Sequence, residues 1–400
     1  MFSYLNASIT RKLSLAVLLF TAPVGFMTYM LMVEQNKAID FTLKEVAGVQ
    51  YLRGVADAHL TVAKVEVGMS GTLSSLATSI TKLESGHGDD MQSANLARES
   101  SRTLGAVSEG ITGTAGSEAR AALRALTSRI GDKSNLILDP DLDSFYVMDL
   151  AVVKIPDVLD RVADLALASR AAYADRTLSA EEKLDLTVKM GGLQTVLDGL
   201  NGSVDSAYLG NTDGTVKAEL NASHMAVKQA VHEVVAKWIE RTPTEDEVTE
   251  AMRALGSFYA ACSSDLERLL NVRTDGFKHA QRVALSAAAV SFLLAVLVVQ
   301  TLLRRLVARP VLDLTNLMVK LSKGDIDVRV TQDHRSDEIG EMAKALKVFQ
   351  TSLAEMEKLR TADARKAVDD NQRQEKTRQL FRDFEATIGK VVGTVSGSAG

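Results

Sequence analysis

The segment LLRRLVARPVLDLTNLMVKLSKGDIDVRVTQDHRSDEIGEMAKALKVFQTSLAEM occupies residues 302–356 and contains two apolar repeats separated by a short polar connector. In both repeats, apolar residues recur three and four positions apart, which predicts two helices that each carry a coiled-coil seam. The first seam consists of Val311, Leu314, Met318 and Leu321. The second consists of Ile339, Met342, Leu346, Phe349, Leu353 and Met356.

The connector between the two seams has the composition of an extended segment. Gly324 can end a helix in the left-handed backbone region, and apolar Ile326 and Val330 follow it. An extended connector allows both helices to run parallel. Because two short amphipathic helices cannot bury both seams alone, we expect a parallel four-helix bundle formed by two chains, and therefore a homodimer.

In each of its parts, the segment from 304 to 356 resembles the HAMP domain, a signal relay found beside membrane spans. Pro310 suits the first turn of a helix, where its missing N–H costs little, and it matches the membrane-proximal proline of that family. The run DEIG that begins at Asp337 matches the family's signature at the start of its second helix. The resemblance implies that Glu338 and Gly340 anchor the connector.

Two uncharged apolar runs, residues 13–33 and residues 283–303, lie on the N-terminal side of this segment. Each has about the 20 residues needed to cross a hydrocarbon layer of about 30 Å, so we expect two transmembrane helices and contact with a lipid bilayer. A cleaved signal peptide is the alternative for the first run, and a buried helix of a soluble core is the alternative for the second.

The charges beside these runs predict the orientation of the chain. Basic residues precede the first run at Arg11 and Lys12 and follow the second at Arg304, Arg305 and Arg309. The positive-inside rule places both clusters, and thus residues 1–12, in the cytoplasm. Residues 34–282 are then expected in the periplasm of a bacterium, with the chain in the inner membrane.

Helical periodicity in residues 34–282 predicts an all-α sensor domain, arranged as two stacked four-helix bundles because its length exceeds that of one bundle. We expect six helices, the first unbroken to about Leu83. The predicted breaks are near 85–90, 139–140, 175–179, 211–214 and 242–244. At three of these breaks the next helix is expected to begin with a capping motif, whose first residue is Asp139, Ser179 or Thr244.

The ligand of this sensor domain is poorly specified by its sequence. Arg98 and Arg102 lie one helical turn apart and can grip a carboxylate, or can simply form a solvated face paired with Glu99. Tyr146 lies just inside a helix, as a pocket wall or as part of the core. The scattered histidines, including His59, are interpreted as ordinary polar positions. No metal-type cluster occurs, so no metal or cofactor is expected.

Beyond the HAMP-like segment, residues 357–380 are dominated by charged side chains and form either a soft continuous helix or a hinge. Residues 381–400 resume the seam and resemble the start of the signalling helix of methyl-accepting chemotaxis proteins, a long coiled-coil hairpin. The pattern has no cap at residue 400, so we expect the chain to be truncated there. That resemblance implies that the methylation sites and the kinase-contacting tip lie further on.

Two functions remain open on the sequence. The first is a chemoreceptor that senses a small periplasmic solute and controls a chemotaxis histidine kinase through a coupling protein. The second is a sensor histidine kinase or cyclic-dinucleotide synthase with its catalytic domain beyond residue 400. No catalytic constellation occurs in the 400 residues, so this stretch is not expected to be an enzyme. A net charge of −5 provides no basic footprint for nucleic acid.

Overall fold

The computed structural model describes residues 9–110, 114–173, 178–238, 241 and 243–396. The side chains of residues 9–20 and 391–396, and that of Glu109, are outside this description. Of the described residues, 88% are helical and none lies in a strand, which confirms the all-α class. It divides into two compact units, one of Thr28–Ser286 and one that joins Met1–Met27 with Ala287–Gly400. Residues 1–8 of the predicted cytoplasmic terminus and residues 397–400 of the predicted signalling helix lie outside the described residues.

Eleven α-helices are described. They are α1 Ile9–Glu66, α2 Leu76–Met91, α3 Ala94–Glu109, α4 Ala115–Lys133, α5 Leu142–Asp149, α6 Ile155–Ala172, α7 Ala180–Gly210, α8 Thr215–Trp238, α9 Glu245–Leu303, α10 Arg309–Ser322 and α11 Glu338–Ser396. Two short π-helical turns interrupt this series, one at Leu150–Lys154 before α6 and one at Arg304–Ala308 before α10. A 3₁₀ turn covers Leu136–Leu138.

The unit Thr28–Ser286 contains the segment predicted to be the sensor domain and is called the sensor unit below. In it, helices α1 and α9 are antiparallel neighbours. Gln281 of α9 donates to Asn36 of α1 over 2.8 Å, and Tyr259 donates to the carbonyl of Leu52 over 3.2 Å. As residue numbers increase along α1, the numbers of the contacting residues in α9 decrease, so the two helices run in opposite directions. Helices α2, α3 and α4 pack on one another, and α5, α6 and α8 pack on α7. The buried apolar side chains of all these helices form one continuous core from Val46 to Leu270.

Where two stacked bundles were expected, the described helices of this unit share one core, and both groups of helices contact the second half of α1. Tyr51 donates to Glu84 of α2 over 2.6 Å, while His59 lies 2.7 Å from Asp160 of α6. The sensor unit is therefore wide around α1, and its helices lie side by side. One shared core buries more apolar surface than two separate ones of the same total length.

Helix α1 ends at Glu66, so the expected continuation to Leu83 is wrong. Gly68 adopts φ +95°, and the Met69 N–H bonds to the carbonyl of Lys64 over 2.9 Å, which is the hydrogen bonding of a helix closed by a left-handed glycine. The predicted break at 85–90 lies within α2, which is helical throughout. The sensor unit accordingly contains more helices than the six expected.

The remaining predicted breaks at 139–140, 211–214 and 242–244 separate helices, and the described part of 175–179 is non-helical. The Ser179 hydroxyl accepts from the Glu182 N–H over 3.2 Å while the Glu182 carboxylate accepts from the Ser179 N–H, so this capping box is confirmed. Thr244 forms the equivalent reciprocal pair at the start of α9. At α5 the prediction is wrong by two residues, since Asp141 occupies the N-cap and Asp139 accepts from its N–H.

The helical stretch Glu245–Ser322 contains an apolar window that is long enough to cross a membrane, and none of that window is buried. The window belongs to the run predicted as the second span, where large apolar side chains such as Leu293 and Leu297 are exposed. Part of the first predicted span, residues 13–20, has no described side chains. From residue 24 to residue 31, however, Val24, Phe26, Met27, Tyr29, Met30 and Leu31 are all exposed.

Candidate functional site

The connector after α10 begins with the helix ending that the sequence predicted. Gly324 adopts φ +89°, its N–H bonds to the carbonyl of Leu321 over 3.0 Å, and the Asp325 N–H bonds to the carbonyl of Lys320 over 3.1 Å. These two bonds satisfy carbonyls that would otherwise be left unpaired at the end of α10. The chain therefore leaves the helix abruptly and continues as the extended connector that leads to α11.

Helices α10 and α11 share a small core within one chain. It consists of buried Leu314, Leu321, Val330, Ile339, Ala343 and Leu346, against which Val311, Leu317, Ile326, Val328 and Leu353 are packed. Most of the predicted seam residues on α10 and the two predicted connector residues are thus brought together. Ala343, which was not expected in the seam, completes the contact because its small side chain lets the helices approach.

Asp337 caps the start of α11. Its Oδ1 accepts from the Gly340 N–H over 3.1 Å, and the guanidinium of Arg335 pairs with the same carboxylate. The Arg335 bonds and the Gly340 N–H lower the pKa of Asp337 to about 2. A Cβ at residue 340 would lie 2.1 Å from the carbonyl oxygen of Arg335, so only glycine fits this turn. Glu338, which the resemblance made an anchor, is exposed and has no hydrogen bond or ion pair among the described side chains.

Arg335 also links the connector to the π-helical turn that follows α9. Its Nη2 donates to the carbonyl of Leu306 over 3.2 Å. Leu306 lies four residues before buried Pro310, and a residue other than proline at 310 would supply an N–H to that carbonyl. The π-helical turn Arg304–Ala308 and the Arg335 bond together accommodate the missing donor. A displacement of this turn is thereby connected through Arg335 to Asp337 and the start of α11.

Gln350 is a functional residue that sequence reasoning missed. Its Nε2 donates to the carbonyl of Ile326 over 2.8 Å and to that of Val328 over 2.6 Å, so it fastens the middle of the connector to α11. A side-chain amide supplies two N–H groups, so one glutamine can bond to both connector carbonyls. The only signal in the sequence is a polar residue that interrupts the apolar positions between Leu346 and Leu353.

Four predicted seam residues remain exposed on the single chain. They are Met318 on α10 with Met342, Phe349 and Met356 on α11, between 46 and 60% exposed. At 100° per residue, the three on α11 lie on one stripe of the helix, beside the face that packs against α10. We call these four residues the exposed seam. An apolar stripe of this kind next to a packed face is typical of a helix that has a further partner.

The residues predicted to bind the ligand are not brought together. Arg98 and Arg102 lie on the exposed face of α3, where Arg102 pairs with Glu99 over 2.6 Å and Arg98 is 3.4 Å from the Asn95 amide oxygen. Tyr146 packs against the core and meets Phe145 edge to face, with ring centroids 5.3 Å apart. This arrangement corresponds to the alternatives stated for these residues, a solvated face and a core aromatic.

A cavity of about 390 Å³ opens instead between α1, α6 and α9. Its walls are mostly apolar and include Leu60, Pro156 and Leu255, while Arg53, Asp57 and His59 of α1 contribute polar groups. The volume lies within the range of about 300–1,000 Å³ usual for small-molecule sites. The π-helical turn Leu150–Lys154 leads directly into the α6 wall, and such turns are frequent at functional sites.

A buried ion cluster supports one side of this cavity. Arg120 of α4 binds Glu66 of α1 over 2.7 Å and binds Asp160 and Asp164 of α6 over 2.9 and 2.6 Å. His59 is 2.7 Å from Asp160 through Nε2, so it is a buried partner and not the ordinary polar position expected. Burial alone would raise the pKa of Asp160, but the bonds and charges of His59 and Arg120 lower it. No group of three or more potential metal ligands occurs among the described residues.

Comparison with known protein families gives a match to the HAMP domain over residues 302–355, nearly the range 304–356 predicted from the sequence. No solved structure matches this chain. A HAMP domain beside an apolar helix defines a class, the signal-relaying transmembrane receptors, which includes chemoreceptors and sensor kinases. The capped connector, the α10–α11 core and the bond from Arg335 to the Leu306 carbonyl all lie within the residues that match the HAMP domain.

Proposed function

We propose that this chain is a bacterial chemoreceptor, in which the sensor unit detects a small periplasmic solute and the HAMP domain relays the signal to a cytoplasmic hairpin. The hairpin would control a chemotaxis histidine kinase through a coupling protein. The observation that carries this proposal is α11, one helix from Glu338 to Ser396 that joins the HAMP core to the segment resembling a chemoreceptor signalling helix. A continuous helix transmits rotation or displacement along its axis without requiring a separate docking step.

The linker 357–380 lies within α11 and its side chains are exposed. Of the two forms the sequence allowed, this favours a continuous helix over a hinge. The seam positions of the linker are too polar for a tight core, so its coiled coil would be soft. A soft segment between two apolar seams allows the HAMP bundle and the signalling helix to adopt different packing states, which a two-state relay requires.

The proposal includes a homodimer, and the exposed seam supports it. In a parallel four-helix bundle these methionines and Phe349 would meet their counterparts in the second chain and would leave water. Methionine is flexible and can repack between alternative helix rotations at modest cost. The exposed seam would thus hold the dimer together and also serve as the surface that changes between signalling states.

Cysteine cross-linking in membranes tests the dimer. In a Cys262→Ser background, Met342→Cys and Phe349→Cys should each form interchain disulfides quickly, because both residues lie on the exposed seam. Lys344→Cys is the matched control, since Lys344 is exposed on the opposite face of the same helix and should cross-link slowly. Equal rates at all three positions would contradict the parallel bundle.

Reconstitution tests the chemotaxis assignment. The protein expressed from its own gene, placed in vesicles with a chemotaxis kinase and coupling protein, should alter the rate at which that kinase phosphorylates itself. The alternative, a sensor kinase or cyclic-dinucleotide synthase, would turn over ATP or GTP in the absence of these partners. Nucleotide turnover by the receptor alone, with no effect on the added kinase, would reject the chemoreceptor in favour of the enzyme.

A further inference from the structure

A ligand in the cavity between α1, α6 and α9 would touch α1 and α9. These two helices also contain the apolar runs that were predicted to be transmembrane spans. Leu60 of α1 and Leu255 of α9 line the cavity from opposite helices, and Pro156 closes it from α6. A solute bound there would contact all three helices at once. Its affinity would then depend on how α1 and α9 are placed, which is the differential binding that a receptor needs.

The charges around the cavity indicate what kind of solute it accepts. Arg53 is already engaged, with Nη1 2.6 Å from Glu267 and Nη2 3.0 Å from the Ser263 carbonyl. His59 is engaged with Asp160. Asp57 is exposed at the rim and has no ion pair or hydrogen bond among the described side chains.

The guanidinium and the imidazole that line the cavity thus each have an acidic partner, whereas one carboxylate is left unmatched. An anionic ligand would have to displace Glu267 from Arg53 or Asp160 from His59, and breaking such a pair is costly in a partly buried site. A cationic ligand needs no such rearrangement. Tyr259 also lines the cavity, and an aromatic ring is a favourable neighbour for an ammonium group.

We propose that this cavity binds a monocationic amine with a compact apolar body, the ammonium pairing with Asp57 and the body enclosed by α1, α6 and α9. The inference rests on the receptor function proposed above, because it supplies the solute that such a receptor senses. It replaces the anionic solute that Arg98 and Arg102 suggested, since neither arginine lines the cavity.

Calorimetry on the full chain in phosphatidylcholine nanodiscs tests the proposal, with empty nanodiscs titrated in parallel to subtract partitioning into lipid. The probes are phenethylamine, phenethyl alcohol and hydrocinnamate, which have similar bodies and carry a positive charge, no charge and a negative charge. Phenethylamine should bind about tenfold or more tightly than the other two, as expected for one charge-assisted contact.

Asp57→Asn should weaken phenethylamine binding about tenfold and leave phenethyl alcohol unaffected. Asp40→Asn is the matched control, because Asp40 is also an exposed acid on α1 and does not line the cavity. Ala56→Phe, which fills the cavity from α1, should abolish binding of every probe. An unchanged melting temperature of each variant shows that it is folded.

Tighter binding of hydrocinnamate, no binding of any probe, or an Asp57→Asn variant that binds phenethylamine like the parent would each overturn the proposal. None of these results affects the cross-linking at Met342 and Phe349. A receptor that cross-links as expected and does not bind amines therefore loses only this ligand assignment, whereas absent cross-linking counts against the proposed receptor dimer.

Discussion

Replacing Gly340 with alanine should weaken the start of α11 and the connector fastened to it. The added Cβ would lie 2.1 Å from the carbonyl oxygen of Arg335, where ordinary contact begins at 3.4 Å. The two residues must therefore separate by roughly 1.3 Å, the difference between these distances. The Gly340 N–H is already 3.1 Å from Asp337 Oδ1, so a movement of this size breaks the cap.

The magnitude follows from three effects of known size. Loss of the cap costs about 1 kcal/mol and forced repacking costs about 1–3 kcal/mol, whereas alanine is favoured over glycine in a helix by about 1 kcal/mol. The net destabilisation is about 1–3 kcal/mol. Gly389 is the matched control on the same helix, since nothing lies within 4 Å of its Cβ position. Gly389→Ala should stabilise α11 locally by about 0.5–1 kcal/mol.

Hydrogen–deuterium exchange of the full chain in nanodiscs, followed by mass spectrometry of peptides, measures both effects. Peptides covering 323–345 should exchange about 5- to 150-fold faster in Gly340→Ala than in the parent, which is the rate equivalent of the destabilisation. Peptides covering the turn around Gly389 should exchange more slowly in its variant. If Gly340→Ala protects the connector, or leaves its exchange unchanged, the close contact with Arg335 does not exist and the argument fails.

Three further changes test other parts of the structure. Arg335→Ala removes the bonds to the Leu306 carbonyl and to Asp337, and should speed exchange around residues 304–310 about fivefold, whereas exposed Arg329→Ala should leave it unchanged. Arg120→Met removes the cation that three carboxylates share, and it should lower the stability of the sensor unit by about 3–5 kcal/mol in thermal unfolding followed by circular dichroism. An effect below about 1 kcal/mol would contradict the buried cluster. Burial and the nearby charge of Asp139 raise the pKa of Glu45 from 4.5 to about 8. Between these two pH values the folded state keeps a proton on Glu45 that the unfolded state loses. The free energy of unfolding should therefore fall as pH rises from about 4.5 to 8. Glu45→Gln should flatten this dependence and raise Tm at pH 8 while changing it little near pH 4.5; equal slopes for parent and variant would reject the raised pKa.

The sequence by itself determined the features that depend on residues close together in the chain. Apolar spacing of three and four predicted α10 and α11, the glycine at 324 predicted where the first of them ends, and the Ser179 and Thr244 capping boxes fixed two helix starts. All of these are satisfied by hydrogen bonds or side chains within about one helical turn. The pattern of neighbours is therefore enough to specify them.

Only the tertiary structure decided which distant residues meet. Arg335 finds the Leu306 carbonyl 29 residues away, Gln350 finds connector carbonyls more than 20 residues away, and His59 meets Asp160 from another helix. No local pattern encodes these partners, because they depend on how helices are rotated and placed against one another. The same holds for the cavity, whose walls come from three helices, and for the side-by-side packing around α1, since an amphipathic helix specifies that a face is buried but not which helix buries it.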